Sequence, residues 1–318
     1  MPARRLAPAI AIALALATGG RAVAQDRAVF ASPGAGSAVG LLSEIIKKDR
    51  LDARHGLDLD IKYFDPAAAE QAVLLRRADA GIFAVIAAAR ANLAGHRVRL
   101  FAPALVNHSS IVVPSGTSAG GLADLKGKRL GTLDRISMTY TSLATIARLQ
   151  GLDLERDFKL TLSPPPVLMG LFARRELDVV VIFEPLVTRL LAEGNREVLR
   201  VNDVWRKETG QSMIALGIGA HEDWLRAHPE TARRIFRTLR DAVAVVQKQP
   251  REVVETFRNF LGAKTDDQVA RLAERLPQLY PATWDRPLFD AMTLLLRKNV
   301  ELGLLQELPK DALFVSVE

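Results

Sequence analysis

The chain has 318 residues, no cysteine, and a formal net charge of +7 at pH 7. A chain without cysteine excludes disulfides, thiolate metal sites, iron–sulfur clusters, cysteine nucleophiles and lipid attachment through a cysteine. Its basic residues are scattered among Asp and Glu and are not clustered with aromatic residues, which argues against nucleic-acid binding. We expect no catalytic site, no metal and no cofactor.

The first 24 residues predict a secretory signal peptide. Arg4 and Arg5 supply a positive start, residues 7–18 form an apolar run too short to span a membrane, and residues 22–24 read Ala-Val-Ala, with cleavage expected before Gln25. Loss of the three signal arginines leaves a formal charge of +4. No later run approaches the ~20 apolar residues of a membrane span. We therefore expect a periplasmic protein exported by general secretion, because the residues after the arginine pair match a twin-arginine signal only weakly.

After the signal, short apolar runs alternate with helical patterns in a β-α-β rhythm. The first series predicts strands at residues 28–32, 57–64, 80–83, 98–105 and 111–114, and helices at 37–54, 66–77 and 85–94. Such alternation favours a mainly parallel sheet covered on both faces, whose ligands lie beyond the carboxyl ends of the strands.

A turn-rich segment at residues 114–121 separates this series from a second one. The second series predicts strands at 129–133, 158–162, 178–183, 198–201 and 213–220, and helices at 137–150, 167–175 and 185–193. From Glu222 onward the chain reads as amphipathic helices divided by prolines, which we expect to pack around the first lobe.

Four stretches, at residues 72–81, 122–131, 151–157 and 171–185, resemble the nitrate/sulfonate/taurine-type periplasmic binding proteins of ABC importers, which are related to the thiamine-pyrimidine-precursor binding proteins. The resemblance covers nearly all of the mature chain and rests on the order and spacing of the stretches. One departure is Arg77-Ala78-Asp79, which is one residue tighter than its second-lobe counterpart at residues 175–178.

The resemblance implies an α/β fold of the two-lobed type II periplasmic binding protein class, with two chain crossings at the hinge and closure around the ligand. We place the crossings near residues 113–116 and 210–216. Lobe 1 then comprises residues 25–113 and 217–318, and lobe 2 comprises residues 114–216. The expected partners are a small-molecule ligand and the permease of an ABC transporter, and the expected state is a monomer.

Candidate ligand contacts in the first lobe follow the ends of strands. The loop after the first strand is small and glycine-rich, so its backbone can approach a ligand and its amides can bind a carbonyl or an anion, although an ordinary βα turn also explains it. The candidates here and near the first predicted crossing are Ser32, Gly34, Ala35, Gly36, Asp65, Phe83, Asn107 and His108.

Candidates in the second lobe occupy the corresponding loops. Ser137 can cap a helix whose free amides favour an anionic or oxygen-rich group. Arg135 can bind a carboxylate or sulfonate, pair with Asp134, or simply be exposed to solvent. The resemblance places Phe183 and Glu184 at the cleft, where Glu184 is either a ligand acceptor or a helix cap. The full second-lobe set is Arg135, Ser137, Met138, Thr139, Phe183 and Glu184.

The predicted function is a periplasmic substrate-binding subunit that captures a small organic solute, such as a sulfonate, a carboxylate or a pyrimidine-like molecule. One alternative is a subunit that presents its ligand to a membrane sensor. Another is an enzyme of the thiamine-pyrimidine-precursor type, although that chemistry depends on a cysteine-rich iron site and this chain has no cysteine.

Overall fold

The computed structural model describes residues 25–281 and 283–318, so the predicted signal peptide lies outside the described residues. Among the described residues, no helix combines the length and the apolar character needed to cross a membrane.

In the part of the chain that the structure describes, ten strands form two five-stranded sheets. In chain order they are β1 (Asp26–Pro33), β2 (Leu57–Phe64), β3 (Ala80–Ala84), β4 (Val98–Val106), β5 (Ser109–Val113), β6 (Arg129–Thr132), β7 (Lys159–Leu162), β8 (Val179–Phe183), β9 (Arg196–Arg200) and β10 (Ile214–His221). The first sheet has the order β2-β1-β3-β10-β4, and the second has the order β7-β6-β8-β5-β9.

Fifteen α-helices connect and cover these strands within the described residues. They are α1 (Ala38–Asp49), α2 (Leu51–Arg54), α3 (Pro66–Leu74), α4 (Val85–Leu93), α5 (Met138–Leu149), α6 (Leu154–Asp157), α7 (Pro165–Ala173), α8 (Leu186–Ala192), α9 (Val201–Thr209), α10 (Glu222–Ala227), α11 (Pro229–Lys248), α12 (Pro250–Thr256), α13 (Arg258–Leu261), α14 (Asp266–Arg275) and α15 (Arg286–Glu301). The helix predicted at 37–54 is interrupted at Arg50, whose φ of 52° is left-handed and ends α1.

Each sheet is mixed, with four strands running in one direction, as the β-α-β rhythm predicts, and one strand running against them. Strand β1 runs parallel to β2 and β3, whereas β10 runs antiparallel to β3 and β4. In the second sheet, β6 runs parallel to β7 and β8, whereas β5 runs antiparallel to β8 and β9. The antiparallel members β5 and β10 are the strands by which the chain enters a sheet from the other lobe, so the β-α-β rhythm does not set their direction.

The first crossing differs from its predicted place. Residues 111–114 were grouped with the first series, but β5 pairs with β8 and β9 and so belongs to the second sheet. The chain therefore leaves the first sheet at Asn107 and His108, six residues earlier than predicted. The return crossing lies between α9 and β10, within the predicted region.

The core explains why the strands read as continuous apolar runs. Successive side chains of a strand point to opposite faces. On β8, Val179 and Val181 belong to the larger hydrophobic core, while Val180 and Ile182 belong to the smaller one that packs under α7. Both faces of this strand are buried, as expected for a sheet with helices on both sides.

Helix α11 shows the corresponding helical pattern over 20 residues. Its buried face carries Ile235, Leu239, Ala242 and Val246, spaced at intervals of three and four. This face packs against α1, α2 and the first sheet, which confirms that the C-terminal helices cover the first lobe. Helix α14 also reaches the second lobe, where it contacts α8.

Candidate functional site

A cavity of about 470 Å³ lies between the two sheets and is lined by residues of both lobes. From the first lobe and the crossing come Pro33, Ser37, Val39, Asp65, Pro66, Ala68, Glu70, Ile82, His108 and Leu216. From the second lobe come Leu133, Asp134, Ile136, Ser137, Met138, Thr139, Leu162, Ser163, Pro164, Pro165 and Phe183. We call this space the main cavity.

A second cavity of about 590 Å³ adjoins the main cavity. The two share Pro33, Ser37, Asp65, Pro66, Pro165 and Phe183, so they form one continuous cleft. The second cavity brings the predicted residues Gly34, Ala35 and Gly36 to the cleft wall.

Two amides of the glycine-rich loop after β1 form hydrogen bonds within the protein backbone. The N–H of Gly34 donates to the Phe64 carbonyl at 3.1 Å, and the N–H of Gly36 donates to the Phe260 carbonyl at 2.8 Å. Gly36 has a φ of 76°, which favours glycine. The loop therefore lines the cleft. The two amides, which were expected to be available to a ligand, already donate to backbone carbonyls.

The loop before α5 brings three predicted residues to the main cavity. Ser137 caps α5, since its Oγ accepts from the N–H of Tyr140 at 3.1 Å and donates to the Asp134 carbonyl at 2.7 Å. Met138 and Thr139 form the first turn of the helix and also line the cavity. Ser137 is thus a helix cap placed at the cleft wall, so the two roles proposed for it are compatible.

Arg135 lies beside this loop but outside the cavity wall. Its side chain is exposed, and its guanidinium pairs with Glu155 through two nitrogens, each 2.8 Å from the same carboxylate oxygen. Tyr140 donates to that same oxygen. The solvent exposure expected as one alternative for Arg135 is observed, but its ion-pair partner is Glu155 of α6 and not Asp134.

The first crossing places His108 on the main cavity. Its side chain is 9 % exposed, and its ring meets Phe183 edge to face with 5.9 Å between centroids. The ring Nδ1 lies 3.2 Å from the Val106 carbonyl. Burial lowers the pKa of His108 to about 4, so the imidazole is neutral at pH 7. A neutral ring that donates from Nδ1 presents Nε2 as an acceptor.

Asn107 and Glu184 face a smaller pocket beside the crossing rather than the main cavity. The Asn107 Oδ1 accepts from the N–H of Ser109 at 3.0 Å, and its amide nitrogen contacts the Met138 sulfur at 3.1 Å. These contacts tie the crossing strand to the start of α5. Asn107 therefore fixes the crossing against the second lobe.

Glu184 makes the predicted helix-capping contact, since its Oε2 accepts from the N–H of Thr188 in the first turn of α8 at 3.2 Å, and it also forms an ion pair that was not predicted. Its side chain is buried, its Oε2 accepts from the Thr188 hydroxyl at 2.7 Å, and its Oε1 accepts from the Arg275 guanidinium. Arg275 also donates to Glu197 at 2.8 Å. Because α14 carries Arg275 and covers the first lobe, this ion pair bridges the lobes. The carboxylate is thus satisfied within the protein and does not face the main cavity.

Two further predicted residues lie in the core. Ser32 is fully buried, where it accepts from the Ser43 hydroxyl at 2.8 Å and donates to the Pro33 carbonyl at 3.2 Å. Phe83 is fully buried on β3 and packs against Gly219 of β10. Position at a strand end does not by itself bring a side chain to the cleft, since alternate residues point to opposite faces.

Glu70 is a cavity residue that the sequence reasoning missed. It lies on α3, and its carboxylate accepts from the N–H of Ala84 at 2.8 Å. Burial raises the pKa of this carboxyl to about 8, the Ala84 N–H opposes that shift, and the charge of Asp134 adds to it. Glu70 is the one ionisable residue in a helix that reads Pro-Ala-Ala-Ala-Glu-Gln-Ala-Val-Leu, and that isolation is the signal that could have identified it.

Solved structures with the same fold include binding proteins and an enzyme. The alkanesulfonate-binding protein SsuA from Xanthomonas axonopodis pv. citri, bound to MOPS, superposes with a TM-score of 0.73 at 18 % identity, covering 92 % of this chain and 98 % of that one. A protein described as the periplasmic sulfonate-binding protein SsuA of a sulfonate ABC transporter from Methylobacillus flagellatus KT gives 0.68 at 18 % identity, covering 92 % of each chain. The desulfurization enzyme DSZB gives 0.63 at 15 % identity, covering 90 % and 94 %.

These superpositions establish the shared two-lobed fold. No curated protein matches the sequence. The family model described as NMT1/THI5 like matches residues 53–253, which is more than half of the chain and includes strands of both sheets. The chain therefore belongs to the NMT1/THI5-like family.

Proposed function

We propose that this chain is the substrate-binding component of an ABC importer, secreted to the periplasm, mature from Gln25 and monomeric. It captures a small organic solute in the cleft and presents it to a membrane permease. The sulfonate-binding proteins that share its fold support this role, since one of them is described as periplasmic and as part of an ABC transporter.

The observation that carries the proposal is the composition of the cavity wall. Side chains from both lobes line one continuous space, and His108, at the crossing between the sheets, lines it as well. A ligand that contacts both walls binds the closed arrangement more tightly than the open one, so binding shifts the population toward closure.

We take the two sheets with their covering helices as the two moving bodies. The hinge then comprises Asn107 and His108 on one crossing and residues 210–213 on the other, which follow α9 and precede β10. Small-angle scattering tests this directly, because a bound solute should lower the radius of gyration. An unchanged radius at saturating ligand would point to a site within a rigid body instead.

Two other roles use the same fold and remain distinguishable by experiment. Presentation of the ligand to a membrane sensor predicts the same closure but association with a sensor in place of a permease. An enzyme, such as the desulfurization enzyme of the same fold, predicts turnover. Mass spectrometry of the bound solute before and after incubation separates turnover from simple capture.

A further inference from the structure

The side chains that line the main cavity are unbalanced in charge. Three carboxyl groups line it, those of Asp65, Glu70 and Asp134, and no Lys or Arg is among its lining residues. Asp65 stands at the cap position of α3 without a side-chain capping bond. Within residues 25–281 and 283–318, no three His, Asp or Glu side chains are grouped so as to hold a metal ion.

Two arginines beside the cleft are already matched by carboxylates. Arg189 lines the adjoining cavity, but its Nε lies 2.9 Å from Glu193. Arg135, beside the loop that opens α5, pairs with Glu155 at 2.8 Å. Neither guanidinium adds an uncompensated positive charge to the main cavity.

A second observation, independent of the carboxyls, concerns the hydrogen-bonding character of the wall. His108 is 9 % exposed and neutral, and its Nδ1 is directed to the Val106 carbonyl. Its Nε2 has no protein partner among the described residues and is an acceptor in this tautomer. An acceptor on the cavity wall favours a ligand that carries a donor, because a ligand that displaces water from this nitrogen without a hydrogen bond leaves it unsatisfied.

The N-termini of helices place positive charge near the carboxyls, so the size of this charge has to be compared with that of the carboxyls. The starts of α1, α3, α5 and α7 all reach the main cavity. Helix α7 begins with two prolines, which have no N–H to offer a ligand, whereas α3 loses only its first N–H to proline. In α1 and α5, Ser37 and Ser137 each occupy one free amide. Since a helix N-terminus carries about half a positive charge, the α1, α3 and α5 ends supply about one and a half charges, against the carboxylates of Asp65 and Asp134 and a third ionisable carboxyl, Glu70.

We propose that the main cavity selects an organic cation, whose protonated amine or amidine is held by Glu70 and faces Asp134, and whose apolar body packs on Val39, Leu133 and Phe183. The inference rests on the proposed function of the same cleft, but it departs from the sulfonate and carboxylate ligands that the family resemblance suggested. It assigns to Glu70 a specificity role toward the ligand's charge.

Because the pKa of Glu70 is raised, binding of a cation should be accompanied by measurable proton release. The N–H of Ala84 donates to this carboxyl, the charge of Asp134 acts on it, and the other titratable groups that line the same cavity are Asp65 and the neutral His108. With a pKa of about 8, the carboxyl is mostly protonated at pH 7 in the free protein. A bound cation favours the carboxylate and lowers this pKa, so binding releases up to about one proton, and affinity rises from pH 6 to pH 8. A bound sulfonate favours the protonated carboxyl and releases none.

The test compares matched triplets that carry an ammonium, an alcohol or a sulfonate on one carbon skeleton, using butyl, cyclohexylmethyl and benzyl compounds. Thermal-shift screening finds the skeleton that binds best, and titration calorimetry in buffers of different ionisation enthalpy gives its affinity and its proton release. We expect the ammonium to bind at least about tenfold more tightly than its sulfonate partner, a difference of about 1.4 kcal/mol. Glu70→Gln should reduce this ratio by about tenfold or more.

Two further variants control the result. Glu208→Gln makes the same chemical change at an exposed residue of α9 away from the cavity, and it should leave the ratio unchanged. If Glu70→Gln does not fold, Asp134→Asn removes an exposed carboxylate from the facing wall, and a lower ratio there supports the proposal.

Several outcomes would overturn the inference: sulfonates that bind as tightly as ammoniums, binding of no ammonium in any triplet, or stabilisation by calcium or magnesium alone. Scattering then separates the two proposals. A sulfonate that binds and closes the protein leaves the binding function standing while it removes the cation preference. An ammonium that binds without closing the protein supports the cation preference but argues against the proposed binding function by lobe closure.

Discussion

Replacing Arg275 by methionine tests the ion pair that bridges the two lobes. Arg275 contacts both Glu184 and Glu197, and the side chain of Glu184 is buried with a relative exposure of 1 %. Methionine keeps most of the apolar stem and its packing but removes the charge. Removal of one partner from a buried ion pair costs about 3–5 kcal/mol, because the other charge is left uncompensated.

The structure assigns most of this cost to Glu184. After the substitution, Glu197 keeps the Ser110 hydroxyl at 2.6 Å and Arg200 at 3.3 Å, whereas Glu184 keeps only the hydroxyl and N–H of Thr188. A second substitution, Glu184→Gln, should therefore recover a large part of the loss. The same change in the wild-type background should be destabilising, since it breaks the pair from the other side.

The loss should also depend on pH. Burial raises the pKa of the Glu184 carboxyl, and Arg275 counteracts this, so Arg275→Met raises that pKa further. A carboxyl with a raised folded-state pKa is least costly when protonated. The penalty is therefore full above the folded-state pKa and disappears as the pH falls through the unfolded value of about 4.3. The gap between wild type and variant should be wide at pH 8 and narrow near pH 4.

Urea unfolding followed by circular dichroism, at several pH values, measures all of these differences. A variant within about 0.5 kcal/mol of wild type at pH 8 would refute the reasoning, as that is the range of surface substitutions. Failure of Glu184→Gln to recover stability in the Arg275→Met background would show that the loss has another origin.

Three further predictions concern stability and processing. Burial holds the pKa of His108 near 4, so the stabilisation that comes from the neutral imidazole is complete above about pH 6.5 and is lost as the pH falls toward 4. His108→Gln should remove this pH dependence, which amounts to on the order of 3 kcal/mol of unfolding free energy. An unaltered stability curve in the variant would contradict the assignment. In Gly131→Ala, the new Cβ would lie 2.4 Å from a methyl carbon of Leu177, so urea unfolding should show a loss of about 1–3 kcal/mol, whereas Gly121→Ala, with open space around it, should lose much less. Mass spectrometry of protein from the native host should find Gln25 at the N-terminus, and intact residues 1–24 would argue against export.

The local order of the chain was largely predictable from the sequence. Strand β2 has the predicted bounds, residues 57–64, and the starts of α3 and α4 were also predicted. Apolar periodicity, proline and glycine are local signals, and they act over the few residues that a strand or a turn contains. Helix α9 was missed, although its buried Val201 and Trp205 lie four residues apart.

Part of the candidate site followed from the same local logic. Loops after strands lie at the ligand-binding edge of an α/β sheet, and this placed Asp65, His108, Ser137 and Phe183 on the cleft wall. Whether they contact ligand remains a prediction. Glu70 was not predicted because it lies inside a helix rather than in a loop after a strand, although its isolation among the uncharged residues of α3 was a local signal.

Only the tertiary structure decided which sheet each crossing strand joins and which partner each charge meets. Strand β5 reads as part of the first series, yet it pairs with β8, whose residues lie some seventy positions further along the chain. Glu184 reads as a ligand contact or a helix cap, yet its counter-ion is Arg275, 91 residues away. Strand pairing and ion pairing depend on the distance between atoms in space, and folding brings together residues whose separation along the chain carries no local signal. Hydrophobic patterning determines the elements, whereas the charge of the cleft depends on which side chains of both lobes converge there.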